Sequence, residues 1–171
     1  MEARVNTTTV HTTFGPFTIV ASADEEVLAA GFTTDPQALL ALVHPDLSGE
    51  ARPRADLGPI TAAVLSYLDG DLAALDEVPV RQHTVGDFLS RAWEELRHVK
   101  PGDPITYTEL AARAGRPTAV RAAAQACARN AAALFVPCHR VIRADRSMGG
   151  YRWGVDVKRS LLAHENDRKT V

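Results

Sequence analysis

Two cysteines in 171 residues, Cys127 and Cys138, are too few for a disulfide framework and too few for a zinc site made of four cysteines. Reduced thiols are the expectation, and no metal or cofactor is expected. No stretch approaches the roughly 20 apolar residues that span a bilayer. The first ten residues, Met1 to Val10, also lack the basic-then-apolar layout of a signal peptide. A cytoplasmic protein without membrane association is therefore expected. Lysine is scarce too, 3 Lys against 16 Arg, a balance that favours rigid, bidentate phosphate contacts and also reflects coding bias.

What is present is an ordinary globular composition, 46% hydrophobic and 23% charged, with an uneven distribution of charge behind the net value of -2. Residues 1–83 hold 4 Lys+Arg and 12 Asp+Glu, whereas residues 84–171 hold 15 and 9. A polyanion would be drawn to the second half and repelled by the first.

The first half reads as a small α/β unit. Phe17 to Val20 and Val27 to Phe32, joined across Asp24-Glu25-Glu26, predict a β-hairpin. Asp35 and Pro36 open a helix expected to reach Val43, a loop is expected over Gly49–Gly58, and a second helix over Ile60–Leu68. Val78-Pro79-Val80 reads as a short strand before a linker. From Thr84 the period becomes helical, with Val85, Phe88, Leu89, Ala92, Trp93 and Leu96 on one face. Thr106 and Glu109 fit a capping box for a short helix from Tyr107, closed by Gly115. Thr118 is the expected cap of an alanine-rich helix through Ala128. Two short helices joined by a tight turn predict a helix-turn-helix. Small side chains on its second helix suit close approach to a groove, with Arg121 as the one long cation before Arg129; a simple packing role for the alanines fits the same pattern.

The segment from Asn130 to Ile142 passes through an apolar run and ends on Pro137-Cys138-His139-Arg140-Val141. A cysteine followed by two potential cations is a position where a thiolate can be stabilised. The dipeptide alone says little, since most such cysteines are structural.

The longer string resembles the signature of the O6-alkylguanine-DNA alkyltransferase family, and the likeness extends over about residues 84–165. Gly150-Tyr151-Arg152-Trp153-Gly154-Val155, with Lys158 and Leu161-Leu162, is similar to the loop and last helix of the Ada branch. Phe14-Gly15-Pro16 in the hairpin resembles the family's ribonuclease-H-like domain. The resemblance implies an α/β, ribonuclease-H-like domain with linker over 1–83, then a mainly α domain over 84–171 carrying a winged-helix-like helix-turn-helix. It implies Cys138 as the alkyl acceptor, His139 as the base acting through a bridging water, and Glu165 as the residue that orients His139. Asn130 would support the network and Tyr107 would donate a proton to the departing base.

The implied partner is double-stranded DNA containing O6-alkylguanine, entered through the minor groove, with O4 of thymine as an alternative target. Arg121 would fill the gap left by a flipped base. Ala119, Ala122 and Ala123 would face the groove, and Thr108 and Arg116, with Tyr107, would touch the backbone. Tyr151, Trp153, Val141 and Cys127 would line the base pocket. Trp153 stands where many family members have glycine and is expected to disfavour bulky groups, and Cys127 is read as packing. A monomer is expected, with cooperative assembly on DNA left open. The chain lacks the separate cysteine-rich zinc domain of full-length Ada, so phosphotriester repair is not expected.

Two rival readings remain. A catalytically silent lesion sensor or DNA-binding regulator of this family would replace the reactive cysteine, and Cys138 is present. A turning-over cysteine hydrolase would leave the helix-turn-helix and Arg121 unexplained.

Overall fold

The structure is a computed structural model that describes residues 4–83 and 86–169, with side chains through 167. Thr84 and Val85, read above as the start of a helix, lie outside the described residues. The chain divides into two compact units: one ends at His83 and takes in Ala131–Phe135, and the other holds the remainder.

In the first unit, β1 (Arg4–Thr12) and β2 (Gly15–Ser22) pair antiparallel from Val5↔Ser22 to Thr12↔Gly15. The expected hairpin follows as β2 with β3 (Val27–Gly31), a strand buried along its whole length. A fourth strand, β4 (Glu50–Pro53), lies inside the predicted Gly49–Gly58 loop and runs parallel to β1, giving the order β3-β2-β1-β4. Helix α1 (Pro36–Leu40) starts as expected, with the Asp35 carboxylate accepting the Gln37 N–H at 3.0 Å. It stops short of Val43. Helix α2 (Pro59–Leu68) buries Ile60, Val64 and Tyr67. Val78–Val80 forms only a single bridge, Val27↔Val80, rather than a strand.

The second visit of the chain to this unit was not legible in the sequence. The Ala30 N–H donates to the Ala131 carbonyl at 2.8 Å and the Ala133 N–H to the Ala30 carbonyl at 3.0 Å, while the Phe135 ring sits 6.3 Å from that of Phe17. An apolar run thereby satisfies its backbone on β3 and adds its side chains to the core.

In the second unit, α3 (Asp87–Leu96) buries Leu89, Ala92, Trp93 and Leu96, the face that the period marks out. The Trp93 indole N–H donates to the Ala126 carbonyl at 2.9 Å, tying α3 to α5 (Val120–Ala128). Helix α4 (Tyr107–Arg113) begins where the Thr106 hydroxyl accepts the Glu109 N–H at 3.1 Å. The expected cap of α5 is corrected: Ala119, not Thr118, is the N-cap, and no side chain caps it. Two short strands, β5 (Ile105–Thr106) and β6 (Val141–Ile142), pair in parallel, and α6 (Val155–Lys169) closes the unit.

Candidate active site

The chain turns sharply at Cys138–Arg140, a single 3-10 turn entered through Pro137. The Cys138 N–H donates to the Val136 carbonyl at 2.8 Å, and the Asn130 amide donates to the same oxygen at 2.7 Å. This fixes the backbone that leads into the thiol. Register then decides what stands nearby. The parallel match Ile105↔Val141 and Thr106↔Ile142 sets the first residue of α4, Tyr107, beside the exit of the cysteine turn.

Helix α6 supplies the opposing wall. Lys158, Leu161 and Glu165 recur three and four apart, so they share one face, and all three are fully buried. Glu165 Oε2 lies 2.8 Å from His139 Nε2. Arg140 embraces the same carboxylate, with Nε 2.9 Å from Oε1 and Nη2 2.9 Å from Oε2, and sends Nη1 to the Val99 carbonyl at 2.8 Å. A bidentate guanidinium is the strong form of such a pair.

This geometry sets protonation. Burial pushes Glu165 up, but His139 and Arg140 outweigh it and hold the carboxyl well below its usual range. An ionised Glu165 accepts the Nε2 proton and leaves the lone pair of His139 on Nδ1, which is buried without a hydrogen-bond partner. Burial, with Arg140 and Lys158, lowers the His139 pKa against the pull of Glu165. The result is a neutral imidazole with a free acceptor nitrogen.

Burial raises the Cys138 thiol, opposed by the Asn130 side chain, Lys158, the backbone at the turn and Arg152. At rest it is a protonated thiol surrounded by groups that favour its anion. Lys158 Nζ donates to the Val141 carbonyl at 2.7 Å and the Gly150 carbonyl at 3.2 Å, joining the two ends of the intervening loop. Burial depresses its pKa, and Cys138 and Cys127 act the other way. Tyr107 is pushed up to about 12 by burial and by both cysteines, so it holds its proton at neutral pH. Gly149 passes so close that a Cβ there would lie 2.8 Å from the Tyr107 hydroxyl, and its φ of +71° also favours glycine.

The other predicted residues divide by exposure. Tyr151 is mostly buried, its hydroxyl without a partner, its ring 6.5 Å from that of His139. Trp153 is half-buried on the same loop, Val141 is buried in β6, and Cys127 is half-buried with burial raising its thiol pKa. Arg121, Thr108 and Arg116 are exposed, Arg116 lying 5.8 Å over the Phe88 ring. Ala119 and Ala122 are partly exposed, but Ala123 is fully buried. The expectation that Ala123 faces a groove is corrected: it packs inside the helix-turn-helix. Arg140, read from the sequence as one of two potential cations beside the thiol, instead holds Glu165 and the Val99 carbonyl.

The site is a buried cysteine in one turn with an imidazole that a buried carboxylate holds, in a unit whose helix-turn-helix leaves Arg121, Thr108 and Arg116 exposed. Residues 87–167 match the family described as 6-O-methylguanine DNA methyltransferase, DNA binding domain. Among relatives, the Escherichia coli bifunctional transcriptional activator/DNA repair enzyme Ada is 45% identical over 82 residues, 48% of this chain and 23% of Ada. The Metallosphaera sedula methylated-DNA--protein-cysteine methyltransferase is 39% identical over 100 residues, 58% of this chain and 62% of the relative. The chain thus spans less than two thirds of each of these relatives. Over 96% of this chain and 94% of the other, the fold matches Mycobacterium tuberculosis OGT solved in complex with DNA, at a TM-score of 0.79 and 27% identity.

Proposed function

We propose that the protein repairs alkylated DNA by moving the alkyl group from O6 of guanine, or O4 of thymine, to Cys138 Sγ, once per molecule. The observation that carries this reading is the fully buried His139–Glu165–Arg140 array, which leaves an unpartnered imidazole nitrogen next to the cysteine turn. Nδ1 takes the thiol proton through a bridging water, Glu165 steadies the imidazolium that forms, and the thiolate attacks the alkyl carbon in line. The leaving group is a guanine anion. Tyr107, still protonated, donates to it. The thioether formed has no carbonyl for water to attack, so the protein is consumed.

DNA enters by the exposed face of α5. Its uncapped N-terminus leaves backbone N–H groups for phosphate, and Arg121, Thr108 and Arg116 add side-chain donors. The OGT complex with DNA supports this partner. The order β3-β2-β1-β4 supports a ribonuclease-H-like reading of the first unit, and the β5–β6 pair beside the helix-turn-helix a winged-helix-like reading of the second. The test is incubation with DNA carrying O6-methylguanine and peptide mass mapping: a methyl group on Cys138, never above one per protein, is the expected result. An unmodified protein bound to the lesion would instead identify a sensor, and repeated turnover a hydrolase.

Two substitutions probe the surroundings. Extruding a base costs a few kcal/mol, and Arg121 offsets it, so Arg121→Ala is expected to slow transfer from duplex DNA by roughly tenfold or more. Transfer from the free base should be unchanged, as single-turnover rates on both substrates will show. Trp153→Gly removes bulk beside the pocket, and relief of about 1–3 kcal/mol of crowding should speed reaction with O6-benzylguanine. Efficient inactivation of the unsubstituted protein by that compound would contradict the assigned role of Trp153.

A further inference from the structure

The first unit holds a cluster that alkyl transfer does not use. His44 and Asp46 lie in the turn after α1, and His83 ends the unit's N-terminal segment. One nitrogen from each imidazole and one Asp46 oxygen fall within 4.8 Å of one another. The two rings are stacked, centroids 3.7 Å apart and planes 18° from parallel. His44 Nδ1 accepts the Asp46 N–H at 3.1 Å, so it turns a lone pair toward that residue, and it lies 3.5 Å from Asp46 Oδ2. The guanidinium closest in sequence, Arg81, pairs with Glu26 at 3.7 Å.

We propose that His44, Asp46 and His83 bind a divalent transition-metal ion such as zinc, with water completing the shell. Two imidazoles and one carboxylate are borderline donors that suit zinc over magnesium or calcium. Zinc–nitrogen bonds of about 2.0–2.1 Å require the donors to close up, and stacked rings must turn so that their lone pairs converge. The side chains of His44 and Asp46, 38% and 72% exposed, meet little resistance in doing so. A metal here joins the turn after α1 to the end of the unit's N-terminal segment. Closing that long loop stabilises the fold, because the ion binds the folded state and not the dispersed ligands of the unfolded one.

Zinc added to the untagged full chain, followed by calorimetry and thermal unfolding, is expected to bind one to one. Saturation should raise the Tm by several degrees. His44→Gln and His83→Gln should each weaken binding at least tenfold while leaving the metal-free Tm and alkyl transfer unchanged. Cobalt provides the check on Cys127 and Cys138: its spectrum should show no thiolate charge-transfer band. Absence of saturable zinc binding below about 100 µM, indifference to both substitutions, or a thiolate band would each overturn the proposal.

Discussion

Glu165→Ala is expected to destabilise the second unit by about 3–5 kcal/mol, the usual cost of removing one partner of a buried ion pair. The carboxylate satisfies both His139 and Arg140, and both are fully or nearly fully buried. Without it the Arg140 guanidinium keeps only the Val99 carbonyl and stays out of water. Denaturant unfolding measures the loss. Glu165→Gln separates stability from chemistry: it retains much of the packing, but an amide cannot stabilise an imidazolium, so methyl transfer should fall by more than unfolding explains.

The same array fixes the response to acid. Glu165 has a folded pKa held well below its unfolded value of about 4.3, so its contribution to stability is present above that pH and is lost as pH falls toward the folded value. His139 is also depressed, from about 6.5; the unfolded chain takes up its proton first, and stability declines as pH falls below that point. Both effects act in one direction. Stability should therefore decrease from about pH 6.5 downward, and Glu165→Gln should remove the lower part of that decline. Midpoints of urea unfolding between neutral and acid pH test both statements, and a protein that gained stability on acidification would contradict them.

The legible parts of the fold are those where side-chain pattern and backbone agree. Helix α3 shows its buried face plainly, and Pro137-Cys138-His139 with Glu165 was marked by its likeness to a family. Other features resisted reading for physical reasons. Strand β1 includes Asn6-Thr7-Thr8-Thr9, in which buried Thr7 and Thr8 hide the alternation of a strand. On α5, alanine carries no polarity signal, so nothing in the sequence told buried Ala123 from partly exposed Ala122. Arg140 and Lys158 look like surface cations because Arg and Lys seldom lie fully buried. Their partners are Glu165, 25 residues away, and carbonyls at Val99, Val141 and Gly150 that only the folded chain brings near.

Cys138→Ser should abolish alkyl transfer while leaving affinity for lesion-containing DNA intact. The replacement keeps the shape of a side chain that is 8% exposed, so folding and DNA contacts have little reason to change. Nucleophilicity changes completely. Burial holds the Cys138 thiol above its ordinary pKa, but Asn130, Lys158 and Arg152 all lower the cost of the anion, and a thiol still yields its proton to an imidazole far more readily than an alcohol does. An alcohol holds its proton far more tightly, and its oxygen attacks a saturated alkyl carbon poorly. Adduct mass should thus fall from one methyl per protein to none, with gel-shift affinity for O6-methylguanine DNA unchanged. Transfer by the unsubstituted protein should also slow in acid, as protonation of His139 removes the Nδ1 lone pair that receives the thiol proton. Methyl transfer to Cys138→Ser would move the acceptor elsewhere, with half-buried Cys127 the first place to look.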